Sequence, residues 1–121
     1  MMDVLVVDDE LMTQRIFTQR LRKEVASGKV NLHFAESSEA AISLLNLHHD
    51  RDFVILSDIN MPGMGGMELL KRIRMEGSKH KVFMISAYSN VEIAQKTLAL
   101  GADGYFTKPL VFDSLRATLE L

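Results

Sequence analysis

With 121 residues, the chain has room for one domain and not two. It is 47% hydrophobic and 25% charged, which fits a water-exposed globule with a core of its own. A net charge of −2 excludes a global electrostatic footprint for nucleic acid or an anionic membrane, and the absence of cysteine excludes disulfides and thiolate metal sites.

Along the chain, β-branched runs alternate with stretches of helical spacing. Strands are expected at Val4–Val7, Val30–Ala35, Phe53–Ser57, Val82–Ser86 and Gly104–Thr107. The first helix carries a stripe of Met12, Ile16, Phe17, Leu21 and Val25. The second follows the cap pair Ser37-Ser38 with Ala40, Ala41, Leu44, Leu45 and Leu47. The third carries Met67, Leu70 and Ile73. The fourth, capped by Ser89 or Asn90 and stopped at Gly101, turns Val91, Ala94 and Leu98 toward the core. Its second, partly apolar face holds Ile93, Thr97 and Leu100. The fifth carries Phe112, Leu115 and Leu119.

Strands that begin roughly every 25 residues are too far apart for hairpins and have βα-unit spacing. The expected fold is therefore an α/β domain: a doubly wound, five-stranded parallel sheet of order 2-1-3-4-5 with five helices. The first and third strands are nearly all apolar, as central parallel strands should be. The chain reads as a single domain over 1–121. Its apolar last residues, Ala117 to Leu121, fit excision from a longer protein as readily as a natural end.

In such a sheet every strand points its C-terminal end at one rim, where ligands bind. The first strand delivers Asp8-Asp9 to that rim, the third Asp58, the fourth Ser86 and the fifth Lys108-Pro109. Each has an ordinary explanation on its own: a helix cap, a turn former, a strand-end hydroxyl, a surface lysine. Together they set three mutually repelling carboxylates beside a hydroxyl and an ammonium. At an effective dielectric near 20, two carboxylates 4 Å apart cost about 4 kcal/mol. A hard cation with oxygen ligands offsets that cost, and Mg²⁺ (or Mn²⁺) suits a few carboxylates plus phosphate oxygens. A carboxylate among such groups can act as a nucleophile toward phosphorus.

The motifs Val6-Val7-Asp8-Asp9, Ser57-Asp58-Ile59-Asn60-Met61-Pro62-Gly63-Met64, Ile85-Ser86-Ala87 and Gly101-Ala102-Asp103-Gly104-Tyr105 through Lys108-Pro109 come in this order at fitting intervals. In these the chain resembles a response-regulator receiver domain, a CheY-like flavodoxin fold, from Val4 to the last helix. The resemblance implies that Asp58 accepts a phosphoryl group from a sensor histidine kinase or a histidine phosphotransfer domain. Asp9 would ligate Mg²⁺ directly, Asp8 through water, and the backbone carbonyl of Asn60 as a further ligand. Lys108 would bind a phosphoryl oxygen, with a cis bond to Pro109. Ser86 would be the switch hydroxyl and Tyr105 the switch aromatic. The domain would catalyse its own phosphorylation and a slow autodephosphorylation tuned by Asn60 and Tyr88, the bulk of Tyr88 slowing the loss.

Some positions vary the family pattern. Ser86 stands where threonine is commoner, and Gly65 where a capping side chain often starts the third helix. Gly104 takes the place of an acid found in dimerising transcriptional receivers, so a weak, phosphorylation-linked homodimer is the less expected partner mode. The fourth helix, fifth strand and fifth helix would form the output face, toward an output domain or protein that the sequence does not name.

Two rival readings stand beside this one. One is an aspartyl-phosphate phosphohydrolase of the haloacid dehalogenase type, which carries its Asp-x-Asp after the first strand, not the third. The other is a receiver-like binding module that never needs phosphate. Direct nucleic-acid binding by this domain and membrane contact are not expected, and neither is a signal peptide: no apolar run nears the ~20 residues of a span, and Met1-Met2-Asp3 has no basic start. A cytoplasmic location follows as the expectation. Basic residues between Lys71 and Lys81 read as a solvated face, Gly63 to Gly66 as a turn and not a dinucleotide loop, and His48-His49 as a surface pair.

Overall fold

A computed structural model describes residues 1–87 and 91–121. The strands are β1 (Met2–Val7), β2 (Val30–Ala35), β3 (Phe53–Asp58), β4 (Lys81–Ser86) and β5 (Gly104–Thr107). They form one parallel sheet of order β2-β1-β3-β4-β5, as the spacing implied. The helices are α1 (Leu11–Arg20), α2 (Arg22–Ala26), α3 (Ser38–Leu47), α4 (Gly66–Met75), α5 (Val91–Ala99) and α6 (Phe112–Leu119). β3 lies at the centre, flanked by β1 and β4, and β1 and β3 are buried on both faces. Alternation along them feeds two separate cores. Leu5, Val7 and Ile55 pack with α3 and α4, and Val4, Val6, Val54 and Leu56 with Phe17, Leu21 and α6.

Six helices replace the expected five because the first helical stretch breaks at Leu21. Its backbone leaves helical geometry there (φ −103°, ψ 17°). The cause lies far away in sequence. Arg116 of α6 donates from Nη2 to the carbonyl of Arg20, and its Nε lies 3.6 Å from Glu24 Oε1. A side chain inserted at a helix carbonyl is a recognised cause of kinks. The expected stripe holds only in part. Phe17 and Leu21 are buried, but Met12, Ile16 and Val25 are exposed.

The faces of α5 are the reverse of the expectation. Val91 is 69% and Leu98 47% exposed, while Thr97 is fully buried and Leu100 packs on the core. Thr97 tolerates burial because its hydroxyl donates to the carbonyl of Ala94 at 2.8 Å. The second helical stripe holds at Ala41 and Leu45, with Leu47 turned out. The stripe of α6 holds throughout.

Local chemistry fixes several ends. Ser37 caps α3, accepting from the Ala40 amide at 3.0 Å. Gly101, at φ +104°, terminates the α5 region in the left-handed conformation that glycine permits. Gly104 has no such φ. Its reason is space: a Cβ there would lie 2.7 Å from the Phe83 ring. Arg74, expected on a solvated face, is a connector instead. It donates to the carbonyls of Gly101 and His80 and to Asp103 Oδ2.

The start of β3 carries a pH-sensitive contact. The Phe53 amide donates to His80 Nδ1 at 2.9 Å, which requires that nitrogen to be unprotonated. Burial, aided by Arg74 and opposed by Asp52 and Glu76, holds His80 below the ordinary histidine range. The unfolded chain therefore takes up this proton first as pH falls. Stability is full above the unfolded value of about 6.5 and is lost as pH drops toward the folded value. Urea midpoints should fall between pH 7 and pH 5.5, and His80→Asn, which keeps an acceptor without a titrating ring, should flatten that slope. An equally steep slope in the variant would remove His80 as its cause.

Candidate functional site

The rim expected from the strand ends exists. Asp8 follows β1 directly, and its amide donates to the Ala35 carbonyl of β2 at 3.1 Å. Asp58 is the last residue of β3, paired with Ile85, and the next amide, Ile59, donates to the Ile85 carbonyl at 3.0 Å. Lys108 follows β5, with its amide donating to the Ser86 carbonyl at 2.8 Å and a cis bond to Pro109. Ladder hydrogen bonds thus aim these side chains at one point without any long loop.

Carboxylate oxygens of Asp8, Asp9 and Asp58 all lie within 4.8 Å of one another. Lys108 Nζ reaches both buried acids, 3.3 Å from Asp58 Oδ2 and 3.7 Å from Asp8 Oδ2. Asp8 and Asp58 are buried, and Asp9 is exposed. Asp8 is saturated by local donors: Oδ1 accepts from the Glu10 amide and Oδ2 from the Thr13 hydroxyl, each at 2.9 Å. Among the described residues, Asp58 Oδ1 has the long 3.4 Å contact from the Asn60 amide. Ser86 is fully buried at the end of β4, beside Thr107 in register. Tyr105 is half-buried against the core of the α3–α4 face. Asn60 is exposed in the loop after β3. Tyr88 lies outside the described residues.

The charges are unbalanced. Burial, reinforced by the charge of Asp8, pushes the Asp58 carboxyl above its ordinary value, although Lys108 pulls the other way. For Lys108, burial alone would lower the pKa, but Asp58 and Asp8 outweigh it and raise it. The ammonium is thus firmly charged and stands between two buried acids, with Asp9 adding a third carboxylate to the cluster. All the clustered donor atoms are carboxylate oxygens, a hard set that fits Mg²⁺ or Mn²⁺ and not a softer metal. The residues therefore suit a divalent cation. A cavity of about 440 Å³ opens beside them, with Thr13, Asp8, Asp58 and Lys108 at its polar end and Phe17, Leu56, Ile85 and Phe112 on its apolar walls.

Three contributors are absent from the sequence reading. Thr13 binds Asp8 five residues on and looks like ordinary helix surface in the sequence. Ser38, fully buried, donates to the Met64 carbonyl at 2.8 Å and so ties α3 to the loop after Asp58. Gly66 packs directly behind the Asp58 carbonyl. The capping serines pointed at Ser38's helix, but no signal in the sequence connects that helix to the loop.

Sheet order and rim place the chain among CheY-like α/β domains with an acidic pocket. The sequence model of the response regulator receiver domain matches residues 4–120, and the chain belongs to that family. It is 31% identical over 119 residues to the two-component response regulator PhoP of Pseudomonas aeruginosa, covering 98% of this chain and 50% of PhoP. It is 37% identical to the transcriptional regulatory protein ZraR of Escherichia coli O157:H7, covering 98% of this chain and 25% of ZraR. The structure of the chemotaxis protein CheY4 of Vibrio cholerae superposes with a TM-score of 0.83 at 28% identity, covering 99% of this chain and 97% of CheY4. The chain thus spans half or less of these two curated relatives, and nearly all of CheY4. Receiver domains generally bind Mg²⁺ at an acidic pocket and pair with histidine kinases and output domains. Family membership decides against the haloacid dehalogenase reading. Among the described residues no helix is long and apolar enough to cross a membrane.

Proposed function

We propose that this receiver takes a phosphoryl group onto Asp58 from a phosphohistidine of a sensor kinase or histidine phosphotransfer domain. The observation that supports this best is the position of Lys108 Nζ, within 3.7 Å of two buried carboxylates in a cluster of three. A carboxylate oxygen of Asp58 attacks phosphorus, the P–N bond to the donor imidazole breaks, and the imidazole leaves with its electron pair. Burial and the charge of Asp8 raise the Asp58 pKa, which makes its carboxylate more basic than an ordinary one. Lys108 meets the charge carried over on the phosphoryl oxygens as a compact cation. A Mg²⁺ ion would be held by Asp9 and Asp58 directly, by the Asn60 carbonyl, and by Asp8 through water, and would supply further charge neutralisation.

After transfer, Ser86 turns its hydroxyl to the phosphoryl group and Tyr105 follows inward. The response is carried to α5, β5 and α6, where Val91, Leu98 and Val111 expose apolar surface. Full reversal of a 1:99 equilibrium needs about 5.5 kcal/mol of differential stabilisation, so the output partner supplies part of it. The cytoplasmic location and the lifetime set by Asn60 and Tyr88 belong to this reading. So does a placement as one domain over 1–121 of a longer or a free-standing regulator.

Mg²⁺ titration by calorimetry tests the metal assignment. Asp9→Ala should weaken binding by at least about tenfold, since a direct ligand is lost. Wild-type affinity in the variant would take Asp9 out of the site.

A further inference from the structure

We infer that Thr13 is a positioning residue for the acidic pocket, holding Asp8 away from Lys108 so that the ammonium serves Asp58. The inference rests on the functional reading above and goes beyond it to a residue on the first turn of α1. Asp8 Oδ2 accepts the Thr13 hydroxyl at 2.9 Å and lies 3.7 Å from Lys108 Nζ. The same ammonium is closer to Asp58 Oδ2, at 3.3 Å. Two buried carboxylates therefore compete for one cation, and among the described residues Asp8 alone has a second donor on the competing oxygen. A neutral hydroxyl satisfies that oxygen without neutralising it. The Glu10 amide fixes the other oxygen at 2.9 Å, so the carboxylate plane is pinned at both ends. Pinned this way, Asp8 keeps its charge facing the pocket but does not close on Lys108.

Without the hydroxyl, Oδ2 keeps a single partner. Rotation toward Lys108 then exchanges a weak contact for a charge-assisted hydrogen bond. The closed pair would draw the ammonium off Asp58, and an incoming cation would have to break it. Outer partners that orient ligand carboxylates typically govern metal affinity by 10–100-fold. The alternative role for the hydroxyl is to tack down the start of α1, where Glu10 caps without a side-chain bond.

Thr13→Val keeps the shape and removes the donor, and Thr13→Ser restores the donor. Mg²⁺ alone is titrated calorimetrically into each, and urea melts are run in EDTA. The Mg²⁺ dissociation constant should rise about tenfold in Thr13→Val and return to near the wild-type value in Thr13→Ser. Thr13→Ala should behave like the valine variant, which guards against a folding defect of either one. Unchanged Mg²⁺ affinity in a folded Thr13→Val protein, with or without lost stability, would reduce Thr13 to a helix tack and overturn the inference. Failure of the wild-type protein to bind Mg²⁺ would instead overturn the functional reading beneath it.

Discussion

Asp58→Asn should reduce acid-labile phosphorylation by acetyl phosphate and Mg²⁺ to background. The amide preserves size and the Asn60 contact but offers no anionic oxygen to attack phosphorus. Acid-labile label retained in the variant would place the nucleophile elsewhere, and an unlabelled wild type would favour the phosphate-independent module. The same substitution should stabilise the protein. Burial and Asp8 raise the Asp58 pKa, so the folded state prefers it protonated. Such a group contributes stability below its unfolded value near 3.8, and loses it as pH rises through the folded value. At neutral pH the ionised side chain is therefore a cost. Asp58→Asn should add about 0.5–2 kcal/mol in EDTA at pH 7, the usual yield of relieving a strained functional group. That gain should shrink toward pH 4. A destabilised variant at pH 7 would show that the ion pair with Lys108 outweighs burial.

Gly66→Ala, at the first residue of α4, should be strongly destabilising. A Cβ at this position would lie 2.2 Å from the Asp58 carbonyl oxygen and 2.9 Å from both Ile59 Cα and Met84 Cε. Met84 could move its terminus, but the other two are backbone atoms. They are held by the β3–β4 ladder and by the Gly66 amide donating to the Ile59 carbonyl at 2.9 Å. Relief requires α4 to back away from the strand that carries Asp58. The expected cost is roughly 3 kcal/mol or more, a large part of the stability of a domain this size. Gly65→Ala is the internal control: its Cβ would meet only the Ile59 carbonyl oxygen, at 3.3 Å. Urea melts of the two should separate clearly. Equal midpoints would mean that α4 shifts freely, and the rigid backing assigned to Asp58 would be lost.

The sheet and the rim were legible because both follow from local patterns. Apolar runs at βα-unit spacing yield a parallel order, and residues just after strands fall at one edge whatever the helices do. Asp8, Asp9, Asp58 and Lys108 meet on that account, and Ser86 ends the neighbouring strand on the same edge. What was not legible depends on partners distant in sequence. The break at Leu21 is made by Arg116, 96 residues from the Arg20 carbonyl it binds. The inverted faces of α5 had a different origin. That helix has apolar residues on two faces, and its buried one is centred on a threonine. Only the internal bond to Ala94 makes Thr97 acceptable there. Thr13 escaped notice because a threonine near a helix start is unremarkable until Asp8 is seen beneath it.

The contact between Gly104 and Phe83 bears on how this domain can diversify. The position before Tyr105 is where dimerising transcriptional receivers often carry an acid, yet here the Phe83 ring occupies that side chain's space. Phe83 belongs to the core under α6 and packs at a tilt against Phe106, with ring centroids 5.9 Å apart. An acid at 104 would first have to displace an aromatic ring of that core. The order of mutations is therefore constrained: Phe83 must shrink before Gly104 can grow. The chain sits in a region of sequence space where one mode of self-association is two coordinated steps away instead of one.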